Sequence, residues 1–291
     1  MEAVVNAWNL GKTLRKRTIL RDISVTASPG DVVGIIGKNG AGKTTLFDVL
    51  LGFSPASAGR SALFGSDSFS LPAVVKRRIG FVPQQDELLE QLSGAQQLQL
   101  NAALQSQWNR ALIGRLVRDW EVPLEQPVKT LSAGERQKLS TLLALGHEPD
   151  LLMLDEPAAS LDPLARRRFL QELLELAAAP TRTILFSTHI VSDLERVANQ
   201  IWILREGTVV WQGALDTLKE SVVRINIFAQ ETLPTRLDIP GSLSVRGAGS
   251  RVTALVGDWS PGRESELARR LNAEIVVENL GLEDIFVELH S

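Results

Sequence analysis

Lys43 closes a glycine-rich octet, Gly37-Lys38-Asn39-Gly40-Ala41-Gly42-Lys43-Thr44, with Thr45 directly after it. Glycines at this spacing let backbone N–H groups turn inward around phosphate oxygens. Lys43 then supplies a cation to the β and γ phosphates, and the Thr44 hydroxyl ligates magnesium. The chemistry implied is capture of a nucleoside triphosphate. A second polar pair, Asp155 and Glu156, follows the apolar run 151–154. Adjacent carboxylates are costly to bury unless something pairs with them. Magnesium held by Asp155, through a water, would be that partner, leaving Glu156 to orient or deprotonate a water aimed at the γ-phosphate. A third group, Ser187-Thr188-His189, follows the apolar run 183–186. Ser132 with Glu135 three residues later is a capping box, which opens a helix over 136–145 behind the small pair Ala133 and Gly134.

These residues need elements that bring them together. The runs 32–36, 151–154 and 183–186 are apolar throughout, as in parallel strands buried on both faces, and amphipathic stretches alternate with them. That pattern predicts an α/β domain with helices on both faces of the sheet. In such a sheet ligands gather beyond the carboxyl ends of the strands, where all three polar groups lie. Thr44 begins a helix over 44–51 that Gly52 ends, so its dipole points at the bound anion. The chain has 291 residues, 44% of them hydrophobic, enough for a large core and more than one domain. No apolar run reaches the roughly 18 residues of a membrane span, and residues 1–6 lack a secretory signal, so a cytosolic location is expected. Cysteine is absent, which excludes disulfides and thiolate metal sites. The net charge of −3 gives no global reason to expect nucleic acid, and the local basic cluster of Lys12, Arg15, Lys16, Arg17 and Arg21 reads as a solvated loop.

Taken in order, the phosphate loop 37–45, Gln84 in Phe81-Val82-Pro83-Gln84-Gln85, Leu131 to Gln137, the strand ending in Asp155-Glu156, Ser160-Leu161-Asp162 and His189 resemble the nucleotide-binding subunit of an ABC transporter over about residues 2–220. The resemblance implies a P-loop NTPase of the ABC type: a mainly parallel sheet core, an inserted helical subdomain at about 86–144, and a domain boundary near 220. It implies ATP and Mg2+ as ligands. Lys43 and the loop residues Gly37 to Thr45 would hold the phosphates. Thr44 and Gln84 would complete the magnesium and water shell, Asp155 would hold the ion, Glu156 would be the general base, and His189 would contact the γ-phosphate. Ser132, Ala133, Gly134 and Glu135 form the signature, which in this family closes in trans over the nucleotide of a second subunit, and Asp162 lies in the turn that communicates across that interface. A monomer is therefore expected to be nearly inactive, and the partners implied are a second nucleotide-binding subunit, identical or homologous, and a transmembrane permease that would hold this cytoplasmic subunit at the inner face of the plasma membrane.

The sequence departs from the family in two places. Ala133 stands where the signature usually has glycine, and in the absence of any tyrosine the adenine-stacking position falls to Leu14, beside Arg15. Trp8 belongs to the preceding strand and reads as packing. The polar region 87–125 carries Trp108 and Trp120, which suit either internal packing or a groove that receives helices of the membrane subunit. Beyond residue 220, strands are predicted at 222–229, 243–245, 252–256 and 275–277 and helices at 264–271 and 282–289, which makes 221–291 a small α+β appendage. Its ending, 278–289, resembles the tail of ATPases that serve bacterial ABC-2 type exporters. Two other readings stay open: a soluble ABC ATPase acting on nucleic acid or ribosomes, and an importer motor with a regulatory C-terminal domain.

Overall fold

The computed structural model describes residues 2–179, 181–234, 237–260 and 262–290. The chain divides into two units, Met1–Gln212 and Gly213–Ser291, so the structural boundary falls ahead of residue 221. In the first unit the elements run β1 (Val5–Leu14), β2 (Arg17–Ala27), β3 (Val32–Ile36), α1 (Lys43–Leu50), β4 (Ala58–Leu63), β5 (Ser66–Asp67), α2 (Ala73–Lys76) and β6 (Ile79–Val82). They continue through α3 (Gly94–Leu104), α4 (Arg110–Asp119), α5 (Ala133–Leu145), β7 (Leu151–Asp155), α6 (Pro163–Ala177), β8 (Thr183–Thr188), α7 (Val191–Val197), β9 (Gln200–Arg205) and β10 (Thr208–Ala214).

The central sheet has the order β10-β9-β3-β8-β7-β6, and β9, β3, β8, β7 and β6 pair in parallel. Strands β3, β7 and β8 are buried at every position, which is why they read as unbroken apolar runs. A second, antiparallel sheet has the order β2-β1-β4-β5, of which the sequence reading placed only the strand carrying Trp8. Helix α1 packs against both sheets, and Leu46, Phe47 and Leu50 are fully buried among Leu10, Leu20, Val33 and Met153. Truncating one of them to alanine costs about 2–5 kcal/mol, because a closely packed core collapses only partly onto the void. Gly52 ends α1 with φ of +75°, and a Cβ there would lie 1.9 Å from the Ser68 carbonyl oxygen.

The expected basic loop is a strand hairpin instead. Arg15 and Lys16 form its two-residue turn with φ of 46° and 68°, the twist that suits right-handed strands. Lys12 is buried, donating from Nζ to the Pro55 carbonyl at 2.6 Å, because its stem continues the inward face of β1. Trp8 is on the surface under Arg60, 4.7 Å from its ring. In the helical region Trp120 is buried 5.9 Å from Phe169, and Trp108 packs on Gly146, so both indoles serve packing.

The second unit holds α8 (Leu215–Ser221), β11 (Val223–Ala229), β12 (Ser242–Ala248), β13 (Arg251–Val256), α9 (Arg263–Leu271), β14 (Ala273–Asn279) and α10 (Leu282–His290). Its antiparallel sheet has the order β12-β13-β11-β14. Alternation places Ile225, Ile227, Val252, Ala254 and Ile275 in one core with Leu267 of α9. Across the sheet, Arg224 pairs with Glu278 at 2.9 Å and with Glu288 of α10 at 2.8 Å.

Candidate functional site

The phosphate loop joins the buried strand β3 to α1, and each of two glycines fills a place no side chain can occupy. A Cβ on Gly37 would stand 2.6 Å from the Leu204 carbonyl, and Gly42, at φ of +106°, would place one 2.7 Å from Leu20. The helix begins at Lys43 rather than Thr44, so the lysine belongs to the first turn. Its buried ammonium donates to the Gly37 carbonyl at 2.8 Å and pairs with Glu156 Oε1 at 3.1 Å. The other oxygen of Glu156 lies 2.8 Å from His189 Nδ1. Three residues that the sequence placed at three different strand ends therefore meet around one carboxylate.

Sheet order explains the meeting. Strand β8 lies between β3 and β7, with Ile36 beside Thr188 and Asp155 beside Ser187. Ser187 donates from Oγ to Asp155 Oδ1 at 2.5 Å and accepts from the Glu156 N–H at 2.9 Å. That bridge holds Glu156 in a left-handed conformation, φ 51°, which costs a non-glycine residue about 1–2 kcal/mol. Ser187 was not singled out as a site residue. Its signal was a hydroxyl ending an apolar strand, and its partner became visible only with the register.

Asp155 is fully buried, and its Oδ2 has no hydrogen-bond partner among the described residues. Thr44 donates from Oγ1 to Gln84 Oε1 at 3.4 Å, and both line a groove of about 680 Å³ that Asp155 also reaches. Oxygen groups from α1, the end of β6 and the end of β7 thus surround a single space.

The signature residues are arranged differently. Ser132 is the N-cap of α5, so the helix includes Ala133 and Gly134 and starts three residues ahead of the expected position. The Ser132 hydroxyl accepts from the Glu135 N–H at 3.3 Å, and Glu135 Oε2 accepts from the Ser132 N–H and hydroxyl, both at 2.7 Å. These bonds hold the Glu135 carboxyl below its ordinary range, the Ser132 hydroxyl contributing most. Ser132 and Ala133 are exposed. A Cβ on Gly134 would approach the Ser160 carbonyl to 3.0 Å, which keeps that position small. Asp162 caps α6, accepting from Leu164 and Ala165 N–H groups at 2.9 and 3.0 Å, and those backbone donors hold its carboxyl down. Next to the signature, Arg136 grips Asp86 through two nitrogens, the closest contact being 2.7 Å, and so ties α5 to the loop carrying Gln84. Leu14 is exposed at the end of β1, before the hairpin turn.

A family model described as ABC transporter matches residues 20–159, from β2 through the phosphate loop and signature to Ala159. The Nod factor export ATP-binding protein I of Burkholderia thailandensis is 30% identical over 296 residues, covering 99% of this chain and 97% of that protein. This chain belongs to the ABC transporter ATP-binding proteins. The ABC transporter ATP-binding protein NatA of Bacillus subtilis is 32% identical over 211 residues, 69% of this chain and 84% of that one. A solved ATP-binding subunit of an ABC transporter superposes with a TM-score of 0.67 at 29% identity, covering 75% of this chain and 92% of that one. The protein is accordingly an ATP-binding subunit of an ABC transporter and an ATPase, built on the P-loop NTPase fold with a mainly parallel sheet. Among the described residues no helix of this ABC subunit is long and apolar enough to cross a membrane.

Proposed function

We propose that this ABC ATPase powers a separate transmembrane permease in the outward direction, closing head to tail on a second nucleotide-binding subunit with magnesium-ATP held between them. The observation that carries the reading is the buried carboxylate cluster at the strand ends: Asp155, whose Oδ2 has no hydrogen-bond partner among the described residues, and Glu156 gripped between Lys43 and His189. Hard oxygen donors fit magnesium, so Asp155, Thr44 and Gln84 would hold the ion. Bound there, the ion neutralises charge on the phosphates. Gly37, Lys38, Asn39, Gly40, Ala41, Gly42, Lys43, Thr44 and Thr45 cradle the phosphates. An incoming γ-phosphate competes with Glu156 for Lys43, and Glu156, held by His189, takes the proton of the attacking water. His189 contacts the γ-phosphate, and Leu14 with Arg15 offers an apolar and cationic platform for adenine.

Ser132, Ala133, Gly134 and Asp162 supply the other half of a site on the partner, which is either a second copy or a paired homologue. Exposure of Ser132 and Ala133 supports that role. The groove that Thr44, Gln84 and Asp155 line also carries Phe53, Phe81, Leu88 and Leu100, and this mixed polar and apolar lining would seat a permease helix beside the nucleotide site, holding the subunit on the inner face of the plasma membrane. The outward direction rests on the relative named for export and on the ending 278–289. A nucleic-acid role is not favoured, because the basic N-terminal cluster is dispersed: Lys12 is buried on Pro55, and Arg21 bonds the Glu206 carbonyl at 3.2 Å. The test is tagged purification from detergent-solubilised membranes. Recovery with a multispanning membrane protein is expected, and recovery with ribosomal or nucleic-acid partners alone would overturn the transporter reading.

A further inference from the structure

Asp48 lies on α1 four residues after Thr44, so the two share one helix face, and both line the groove that Gln84 and Asp155 also reach. Thr44 has a task in the site above; Asp48 has none. Three features of its surroundings oppose a negative charge. It is half-buried, it faces the negative charge of Asp155, and it sits in the last turn of α1, where the helix dipole favours cations. Burial first, then Asp155, push its carboxyl above the ordinary range, and Lys12 only partly opposes them. Lys12 gives its hydrogen bond to the Pro55 carbonyl instead. The same groove is lined by Asp155, whose fully buried Oδ2 has no hydrogen-bond partner among the described residues. Asparagine or leucine at position 48 would suit the isolated fold better, so the carboxylate is explained by something the fold alone does not contain.

We propose that Asp48 is a positioning carboxylate for the divalent cation, adding negative charge beyond the Thr44, Gln84 and Asp155 donors and so tightening metal binding in the nucleotide site. The inference rests on the magnesium reading above. Its physical basis is that affinity for hard divalent cations rises with the number of carboxylate charges around them. A cation held between Asp48 and Asp155 would offset both the cost of burying the Asp48 charge and its repulsion by Asp155. The residue therefore trades stability of the metal-free protein for metal affinity, a signature that a packing role does not produce.

The test is a Mn2+ titration followed by electron paramagnetic resonance, on the full chain with a non-hydrolysable ATP analogue, for wild type, Asp48→Asn, Asp48→Glu and Asp155→Asn. Asp48→Asn is expected to weaken Mn2+ binding about three- to tenfold, with a higher melting temperature than wild type when metal is absent, and Asp48→Glu to recover most of the affinity. Equal Mn2+ affinity in wild type and Asp48→Asn, alongside a clear loss in Asp155→Asn, would overturn the role of Asp48 and leave the magnesium site standing. Loss of both Mn2+ affinity and metal-free melting temperature in Asp48→Asn would overturn it in favour of a structural role. If wild type and Asp155→Asn bind Mn2+ alike, the magnesium reading fails and the inference fails with it.

Discussion

The phosphate-loop region and the signature region differ in how their polar groups are satisfied. Around Lys43, α1 and the ends of β7 and β8 bring ionisable groups together, where Glu156 is paired twice and Asp155 Oδ2 has no hydrogen-bond partner among the described residues. Around Ser132 and Asp162 the side-chain cap bonds run to each residue's own helix, and both residues stay exposed. The first region leaves a buried carboxylate oxygen for a ligand; the second is complete in itself and presents a surface. A buried unsatisfied carboxylate oxygen costs more than an exposed cap, so the first region needs a ligand far more than the second does. The contrast fits a site divided between two chains, one half preformed for the triphosphate and the other a rigid lid.

Substitutions can break this contrast. Glu156→Gln should lower turnover by about 10²–10⁴-fold while ATP still binds, because only the proton acceptor is lost, and it should accumulate a nucleotide-bound dimer on size exclusion. Unchanged turnover would place the base elsewhere. Lys43→Ala removes a buried charge partner and should cost about 2–5 kcal/mol of ATP binding, read by titration calorimetry. Its effect on stability should shrink when Glu156 is also truncated, since the two form one pair. Ser187→Ala leaves the Glu156 N–H and one Asp155 oxygen without their bridge, and chemical denaturation should show a loss of about 1–3 kcal/mol.

On the signature side the expected effects on the single chain are smaller. Ser132→Ala should cost about 1 kcal/mol of stability through the lost cap. Its effect on hydrolysis should appear at the partner's nucleotide: mixing Ser132→Ala with Lys43→Ala chains should leave one intact composite site and restore activity above either alone, whereas no restoration would argue against sharing in trans. The smallest effect concerns pH. The folded-state pKa of Glu135 lies below its unfolded value, so its contribution to stability is fully present above about pH 4.3 and is lost as pH falls through the folded value. Glu135→Gln should therefore show a shallower acid limb in melting temperature than wild type, with no change near neutrality.

How much was legible varied with the distance over which each feature is built. In the second unit the expected strands are present with uneven bounds: 252–256 is Arg251–Val256, whereas 243–245 and 275–277 are the middles of the longer Ser242–Ala248 and Ala273–Asn279, because an amphipathic antiparallel sheet writes its alternation, and less sharply its ends, into the chain. The β1–β2 hairpin was missed because its turn uses Arg15 and Lys16 where Asn-Gly would have marked it. The signature helix was begun late because Ala133 and Gly134 were read as a lead-in, although a Ser132 cap already makes Ala133 the first helical residue.

The sequence by itself determined the local devices: the octet from Gly37 to Thr44, the capping box of Ser132 and Glu135, and the polar residues at the ends of buried strands. Each depends only on residues within a few positions, whose backbone and side chains meet whatever the rest of the chain does. Only the tertiary structure decided that Lys43 and His189 share Glu156, that Ser187 bridges Asp155 to the Glu156 backbone, and that Asp48 lines the same groove as Asp155. Those meetings depend on β8 lying between β3 and β7, and strand order in a parallel sheet is set by how helices and sheets pack against one another, which no local pattern records.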